Sequence, residues 1–299
     1  MELTKYDIFI QIVENGSLTK TAQKIGYTQS AISHLVASLE AELGLSLLVR
    51  SRSGVSLTPE GEAIFPYIQS IGTSYDNLHE YANNLRGLES GIVRISAPQS
   101  VLLNILPLGI AQFQKKYPGV RFEFKTVGIS KSFQNVVNGV SDIGFSVVNE
   151  LFSFDNLERC ELLPFSNEKM LVIIPENHPA AELEYFPPEW LQKEKYIMIR
   201  DGVSETRPIF KRYKVEPDVL FYVEDATTIM AMVEQGLGIS IIPTMSFYRN
   251  PFKILAKELP NPFYRKIGVF YKKQPLLSHA AREFLDTVLD ISADFCTKF

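Results

Sequence analysis

Residues 17–50, SLTKTAQKIGYTQSAISHLVASLEAELGLSLLVR, decide how the first part of this 299-residue chain folds. Ser17 is a helix-capping residue, and Leu18, Ala22 and Ile25 follow at inward-facing spacing. Gly26 permits a tight turn. Thr28 caps the next helix, whose buried stripe is predicted as Ile32, Leu35, Leu39 and Leu43, with Gly44 as its stop. Upstream, Leu3, Tyr6, Phe9, Ile10 and Val13 mark one more amphipathic helix, ended by Asn15-Gly16. Three helices this short cannot each bury a core. They can share one, as in a helix-turn-helix.

The outward face of the third helix then presents Gln29, Ser30, Ser33, His34 and Ala37, headed by Thr28 and free of carboxylates until Glu40. Short hydrogen-bonding side chains on the N-terminal half of such a helix suit base edges in a major groove. A solvated helix face would have a similar composition, so the reading rests on the three-helix arrangement. Leu47 to Ser51 and Val55 to Leu57 read as two short strands around Ser53-Gly54. Arg50 and Arg52 sit on this hairpin, where a wing would set them against phosphates or in the minor groove.

Thr58-Pro59 begins a long helix with apolar residues at Ile64, Ile68, Ile71, Tyr75, Leu78, Ala82 and Leu85. Gaps alternating between four and three form a heptad seam, which a second copy of the chain would complete. Docking on the helix's own domain would give a similar stripe. Pro66 removes a bond to Glu62 and is expected to bend the first turns. Gly87 and Gly91 close the segment.

From residue 92 strands and helices alternate, which implies β/α units and a largely parallel sheet. Predicted strands are 92–96, 120–126, 170–174, 196–199, 219–223, 238–242 and 266–271, with one more from Asp142 to Phe145. Helices are predicted over 102–116, 133–138, 205–212, 227–235 and 280–295. Breaks near Pro164 and Pro262 suggest two lobes with two crossings. Ligands of open α/β sheets sit beyond the carboxyl ends of strands, at helix N-termini. Those places are 97–100, 128–130, 145–147, 202–204 and 225–227, and free amides there favour an anion. Ser100, Ser130, Ser204 and Thr227 would add hydroxyls, although ordinary capping also uses them.

The segment quoted above, with GVSLTPEGE at 54–62, resembles the winged helix-turn-helix of LysR-type transcriptional regulators. Ala22, Ser33, Leu39, Glu40, Leu43, Gly44, Leu47, Arg50, Leu57, Thr58 and Gly61 stand at matching places. VRISAPQS, GVSDIGF, IIPENHP and VEQGLGISIIP resemble the effector domains of that family. The resemblance covers essentially the whole chain. It implies an α/β protein with a winged helix-turn-helix at 1–58, a long dimerising linker helix at 59–88, and a two-lobed effector domain at 92–299. That domain is of the periplasmic-binding-protein-like type, with lobe I at 92–164 and 267–299 and lobe II at 165–266. By the same resemblance, DNA contacts fall to Thr28, Gln29, Ser30, Ser33, His34, Arg50 and Arg52. Effector contacts fall to Gln99, Ser100, Gly128, Ile129, Ser130, Val147, Gly202, Val203, Ser204 and Thr227. Relatives that sense organic acids often carry a polar residue where Ile129 and Val147 stand, so a less polar pocket wall is implied. Expected partners are double-stranded DNA, a small-molecule effector with an organic anion as the favoured class, and the chain itself as dimer or tetramer. RNA polymerase is a further candidate partner.

Composition narrows the alternatives. Hydrophobic residues make up 45% and charged residues 21%, ordinary for a globular protein. The net charge of −4 means that any DNA-binding charge must be local. No run approaches a membrane span and no secretory signal is evident, so a cytoplasmic location is expected. Walker, GxGxxG, GxSxG and HExxH patterns are absent, and the four histidines lack ligand spacing, so neither an enzyme nor a metal or cofactor is expected. His178, before Pro179, reads as a surface turn residue. Cys160 and Cys296 read as inert thiols. The remaining rival is a cytosolic small-molecule binding protein with no role in gene regulation, in which the first 58 residues would be an appendage.

Overall fold

The computed structural model describes residues 4–51, 54–84, 91–148, 160–200, 205–273 and 277–296. The chain starts with three helices: α1 (Lys5–Asn15), α2 (Leu18–Ile25) and α3 (Gln29–Leu43). Each cap is local chemistry. Thr4 and Asp7 form a capping box, Ser17 accepts from Lys20 N, and Thr28 accepts from Ala31 N at 3.2 Å. Ile8, Phe9, Ile12, Leu18, Ala22, Ile32, Val36 and Leu39 fill the shared core. One expectation is corrected here. Val36 is buried in place of Leu43, which is 40% exposed, and Leu35 is only half-buried. Leu43 stays on the same face, but it is the last residue of the helix, directly before the Gly44 cap.

Strands β1 (Leu48–Ser51) and β2 (Gly54–Leu57) form the antiparallel wing. Val55 N donates to Gly16 O, which seats the wing on the α1–α2 turn. Helix α4 (Pro59–Asn84) follows, with Thr58 Oγ1 accepting from Gly61 N. A Cβ on Gly61 would lie 2.2 Å from Leu47 O, so only glycine allows this approach. The heptad seam divides. Ile68 is buried in the head's own core, whereas Ile71 and Leu78 are 44% and 65% exposed. Leu85 lies outside the described residues.

The rest is a curled α/β assembly. In chain order it comprises β3 (Gly91–Ala97), α5 (Gln99–Asn104), α6 (Leu106–Lys116), β4 (Val120–Thr126), α7 (Ile129–Val137), β5 (Ile143–Val147) and β6 (Cys160–Pro175). Next come β7 (Lys195–Ile199), α8 (Arg207–Tyr213), β8 (Asp218–Val223), α9 (Ala226–Glu234), β9 (Ser240–Pro243) and α10 (Thr244–Phe247). The chain ends with β10 (Ile254–Lys257), β11 (Tyr264–Lys272) and α11 (His279–Cys296). The single helix expected over 102–116 is broken at Ile105, because Pro107 cannot donate into the preceding turn.

The sheet is mixed rather than largely parallel. Pairs β3–β4, β3–β5 and β7–β8 are parallel, while β6 and β11 pair antiparallel with each other and with their other neighbours. The chain leaves one core along β6 and returns along β11, so the two runs must oppose. One core gathers Val93, Ile95, Phe113, Phe145, Val269 and Phe284. Others gather Met170, Phe186, Tyr196 and Ile209, and Ile197, Ile229 and Ile242, at the far end of β6. The β6–β11 register shifts between Ile267 and Gly268, opposite 164–166, a place where a strand tolerates Pro164. His178 is half-buried, with its side chain only 8% exposed. Its Nδ1 accepts from Ala180 N, its Nε2 lies 3.4 Å from Glu194, and Phe186 and Trp190 flank the ring.

Candidate DNA interface and effector cleft

On the head, Thr28, Gln29, Ser30 and His34 are exposed and Ser33 is half-buried, all along the N-terminal half of α3. Arg50 reaches from β1 across to this helix, and its Nη1 donates to Ser33 Oγ at 3.0 Å. Wing and helix thus present one continuous polar face. Arg52 lies outside the described residues. Glu40 supports the arrangement from behind, its Oε1 accepting from Leu47 N at 2.6 Å and Leu48 N at 3.2 Å. That carboxylate fixes where the wing begins relative to α3. Tyr27, 42% exposed, directly precedes the Thr28 cap of α3 and was not foreseen. An aromatic directly before a polar helix cap was the available signal.

The second site is a cavity of about 580 Å³ between the two ends of the β6–β11 ribbon. Gln99, Ser100 and Gly128 line it, together with Thr126, Met198, Ile199, Arg200, Glu205, Glu224, Asp225 and Arg265. Thr227 instead lines an adjoining cavity of about 300 Å³ with Gln99, Ser100 and Leu103. Val147 is corrected: it is 1% exposed and packed within the strand layer, because all five residues of β5 are covered on both faces. The side chains of Ile129 and Ser130, and residues Gly202, Val203 and Ser204, lie outside the described residues.

A buried charge cluster forms the floor of the cavity. Arg265 on β11 stands opposite Glu168 on β6 in register. Its Nε and Nη2 donate to Glu168 at 3.2 and 3.1 Å, its Nη1 donates to both oxygens of Glu205 at 3.2 and 3.0 Å, and Nη2 also donates to Ser100 Oγ at 2.9 Å. Met245 N donates to Glu168 as well. Burial pushes the Glu168 carboxyl up, opposed chiefly by the Arg265 charge. Ser100 Oγ thus accepts from Arg265. The N-terminus of α9 is likewise occupied, since Asp225 accepts from both N and Oγ1 of Thr228 at 2.8 Å. The Tyr196 hydroxyl, buried beneath the cavity, is pushed up to about 12 by desolvation and stays neutral.

Sequence reasoning missed Glu168, Glu205 and Arg265. The sequence signal is faint, because Glu168 shares β6 with Glu161 and Lys169, and Arg265 shares β11 with Lys266 and Lys272. Burial also raises the Cys160 thiol, so it is not activated. Among the described residues there is no group of metal-ligand type and no helix long and apolar enough to cross a membrane.

Two family models match the chain. That of the bacterial regulatory helix-turn-helix protein, lysR family, covers residues 3–62, and that of the LysR substrate binding domain covers 86–292. The probable HTH-type transcriptional regulator LrrA of Synechococcus elongatus is 28% identical over 96% of each chain. The uncharacterized HTH-type transcriptional regulator YvbU of Bacillus subtilis is 25% identical over 97% of this chain and 99% of its own. Among solved structures, the LysR family regulator CbnR superposes with a TM-score of 0.73 at 19% identity, covering 98% of this chain and 99% of its own. Full-length CbnR complexed with its target DNA gives 0.68 at 21% identity, over the same shares of the two chains. These two show the fold. The family models cover well over half of the residues, and the family is one of regulators rather than enzymes. The chain therefore belongs to the LysR family of transcriptional regulators, with a DNA-binding helix-turn-helix head and an effector-binding domain.

Proposed function

We propose that this regulator reads operator DNA as a homo-oligomer, with 1–58 as the head, 59–88 as the linker helix, and an effector domain at 92–299 whose lobe I spans 92–164 and 267–299 and whose lobe II spans 165–266. Gln29, Ser30, Ser33 and His34 enter the major groove. Arg50, with Arg52 on the same hairpin, contacts the backbone or the minor groove. The observation that carries this reading is the Arg50–Ser33 hydrogen bond, which places wing and recognition helix on one exposed face. The open half of the α4 seam supplies the dimer contact, and pairs of dimers supply the tetramer. RNA polymerase is a partner by family resemblance.

The effector is a small molecule held in the 580 Å³ cavity, with Gln99, Ser100 and Gly128 at its wall. By resemblance, Ile129, Ser130, Gly202, Val203 and Ser204 complete that wall and the occupant is an organic anion, a class that the charges of the wall argue against. The effector acts only by binding one lobe arrangement better than the other, which changes how the heads are presented. Competitive gel-shift titrations on specific and scrambled duplexes test the head. Ser33→Ala and His34→Ala should alter which sequence is preferred. Arg50→Ala should weaken binding to every sequence and reduce the salt slope by about one. Equal affinity of all variants for all duplexes would refute the assignment.

A further inference from the structure

The cavity's charges point to a ligand class that helix N-termini alone would not suggest. An anion entering this space would look first to Arg265, since a buried guanidinium is the strongest anion receptor a cleft can offer. That guanidinium is already engaged. Its donors serve Glu168, Glu205 and Ser100. That one guanidinium serves two carboxylates, Glu168 and Glu205, and the Arg265 and Glu168 side chains are each 8% exposed or less. The second cation on the wall, Arg200, lies 3.8 Å from Glu224. Asp225 adds another carboxylate and already fills the α9 N-terminus. Among the described lining residues the carboxylates therefore outnumber the cations, and no lysine lines the space. In a partly desolvated cavity such an excess is costly, and a cation relieves it.

Resting on the cleft as the effector site, we infer that the effector carries a protonated nitrogen, an ammonium or guanidinium group, selected by Glu205 and Glu224. Glu205 is the inner selector. Each of its oxygens uses one lone pair on Arg265 and keeps another for a ligand N–H. Glu224, 77% exposed, is the outer one. Apolar parts of the molecule would meet Met198 and Ile199, which line the same space.

The test uses the full chain and three probes of similar size that differ in charge: benzylamine, benzyl alcohol and phenylacetate. Affinity is read by calorimetry at millimolar concentration and by thermal shift. Benzylamine should bind at least about tenfold more tightly than phenylacetate. The preference should shrink in Glu224→Gln and Glu205→Gln and vanish in the cavity-filling variant Ser246→Trp. Glu224 lies outside the Arg265 cluster, so Glu224→Gln keeps the test decisive if Glu205→Gln unfolds. Tighter or equal binding of phenylacetate or benzyl alcohol, lost in Ser246→Trp, would overturn the charge assignment and leave the cleft as the site. Benzylamine binding that survives Ser246→Trp and both carboxamide variants would overturn the assignment and the site together. No binding of benzylamine would also overturn the charge assignment, because the attraction argued here requires no further recognition.

Discussion

The division of the α4 seam makes a sharp prediction about Leu78. Its side chain is 65% exposed, whereas Ile68, ten residues earlier on the same stripe, is 2% exposed inside the head. Full burial of a leucine is worth about 1.5–3 kcal/mol, so the part of Leu78 still open to water can contribute about 1–2 kcal/mol to an interface. A two-fold axis uses every residue twice. Leu78→Ala should therefore weaken dimerisation by about 2–4 kcal/mol, or about 30- to 900-fold in Kd, while leaving the melting of the isolated protomer unchanged. Ile68→Ala should do the reverse. It opens a cavity in the head, costs about 2–5 kcal/mol of fold stability, and leaves association intact. Ile71→Glu, at a position 44% exposed, should dissociate the dimer outright by placing a charge in the seam. Sedimentation equilibrium over a dilution series gives Kd, and calorimetry gives the head's transition. An unchanged Kd in Leu78→Ala, or dissociation in Ile68→Ala without loss of thermal stability, would refute the idea that the helix changes partners midway.

Three smaller perturbations probe the framework. Glu40→Ala removes the acceptor of Leu47 N and Leu48 N and should cost the head about 1–3 kcal/mol, read as a lower Tm and weaker binding to any duplex. Gly61→Ala would drive a Cβ to 2.2 Å from Leu47 O, and the forced backbone shift should destabilise the head by about 1–3 kcal/mol in urea titration. Glu283 accepts from Tyr117 Oη at 2.8 Å with Lys116 at 3.6 Å, and these partners hold its carboxyl below the usual range. A lowered folded pKa gives stability that is present above the ordinary carboxylate pKa and lost as pH falls through the lowered value. Glu283→Gln should therefore melt slightly below wild type at neutral pH, with the gap closing in acid. A gap that persists at low pH would contradict this linkage.

What was legible in the sequence follows the range of each interaction. Ser17, Thr28 and Thr58 cap helices through partners three residues away, so their roles could be read directly. The heptad spacing of α4 was equally plain, but a stripe does not say what covers it. Ile68 and Leu78 look alike until the head is folded. Pro107 was a local signal for the break at Ile105, hidden within a strongly periodic apolar run. Parallel and antiparallel pairing could not be told apart, because buried strands of either kind are continuously apolar. The Arg265 cluster was least accessible. Its partners lie 60, 97 and 165 residues away, on β6, on α5 and beside α8, and only the folded chain brings them together.

That cluster also bridges the two cores. Glu168 and Arg265 sit on the two strands that join the cores, Ser100 on α5 beside one core, and Glu205 beside α8 at the other. A single guanidinium thus holds a hydroxyl from one side and a carboxylate from the other, both at about 3 Å. Moving Ser100 away from Glu205 must lengthen one of those bonds, and a stretched bond to a buried charge costs more than one exposed to water. The arginine therefore resists relative motion until something competes for its acceptors. Under the inference above, a cation bound to Glu205 would share that carboxylate and weaken the Nη1 bonds. Ligand recognition and relative motion of the two cores would then involve the same atoms, which is the differential affinity a population shift requires.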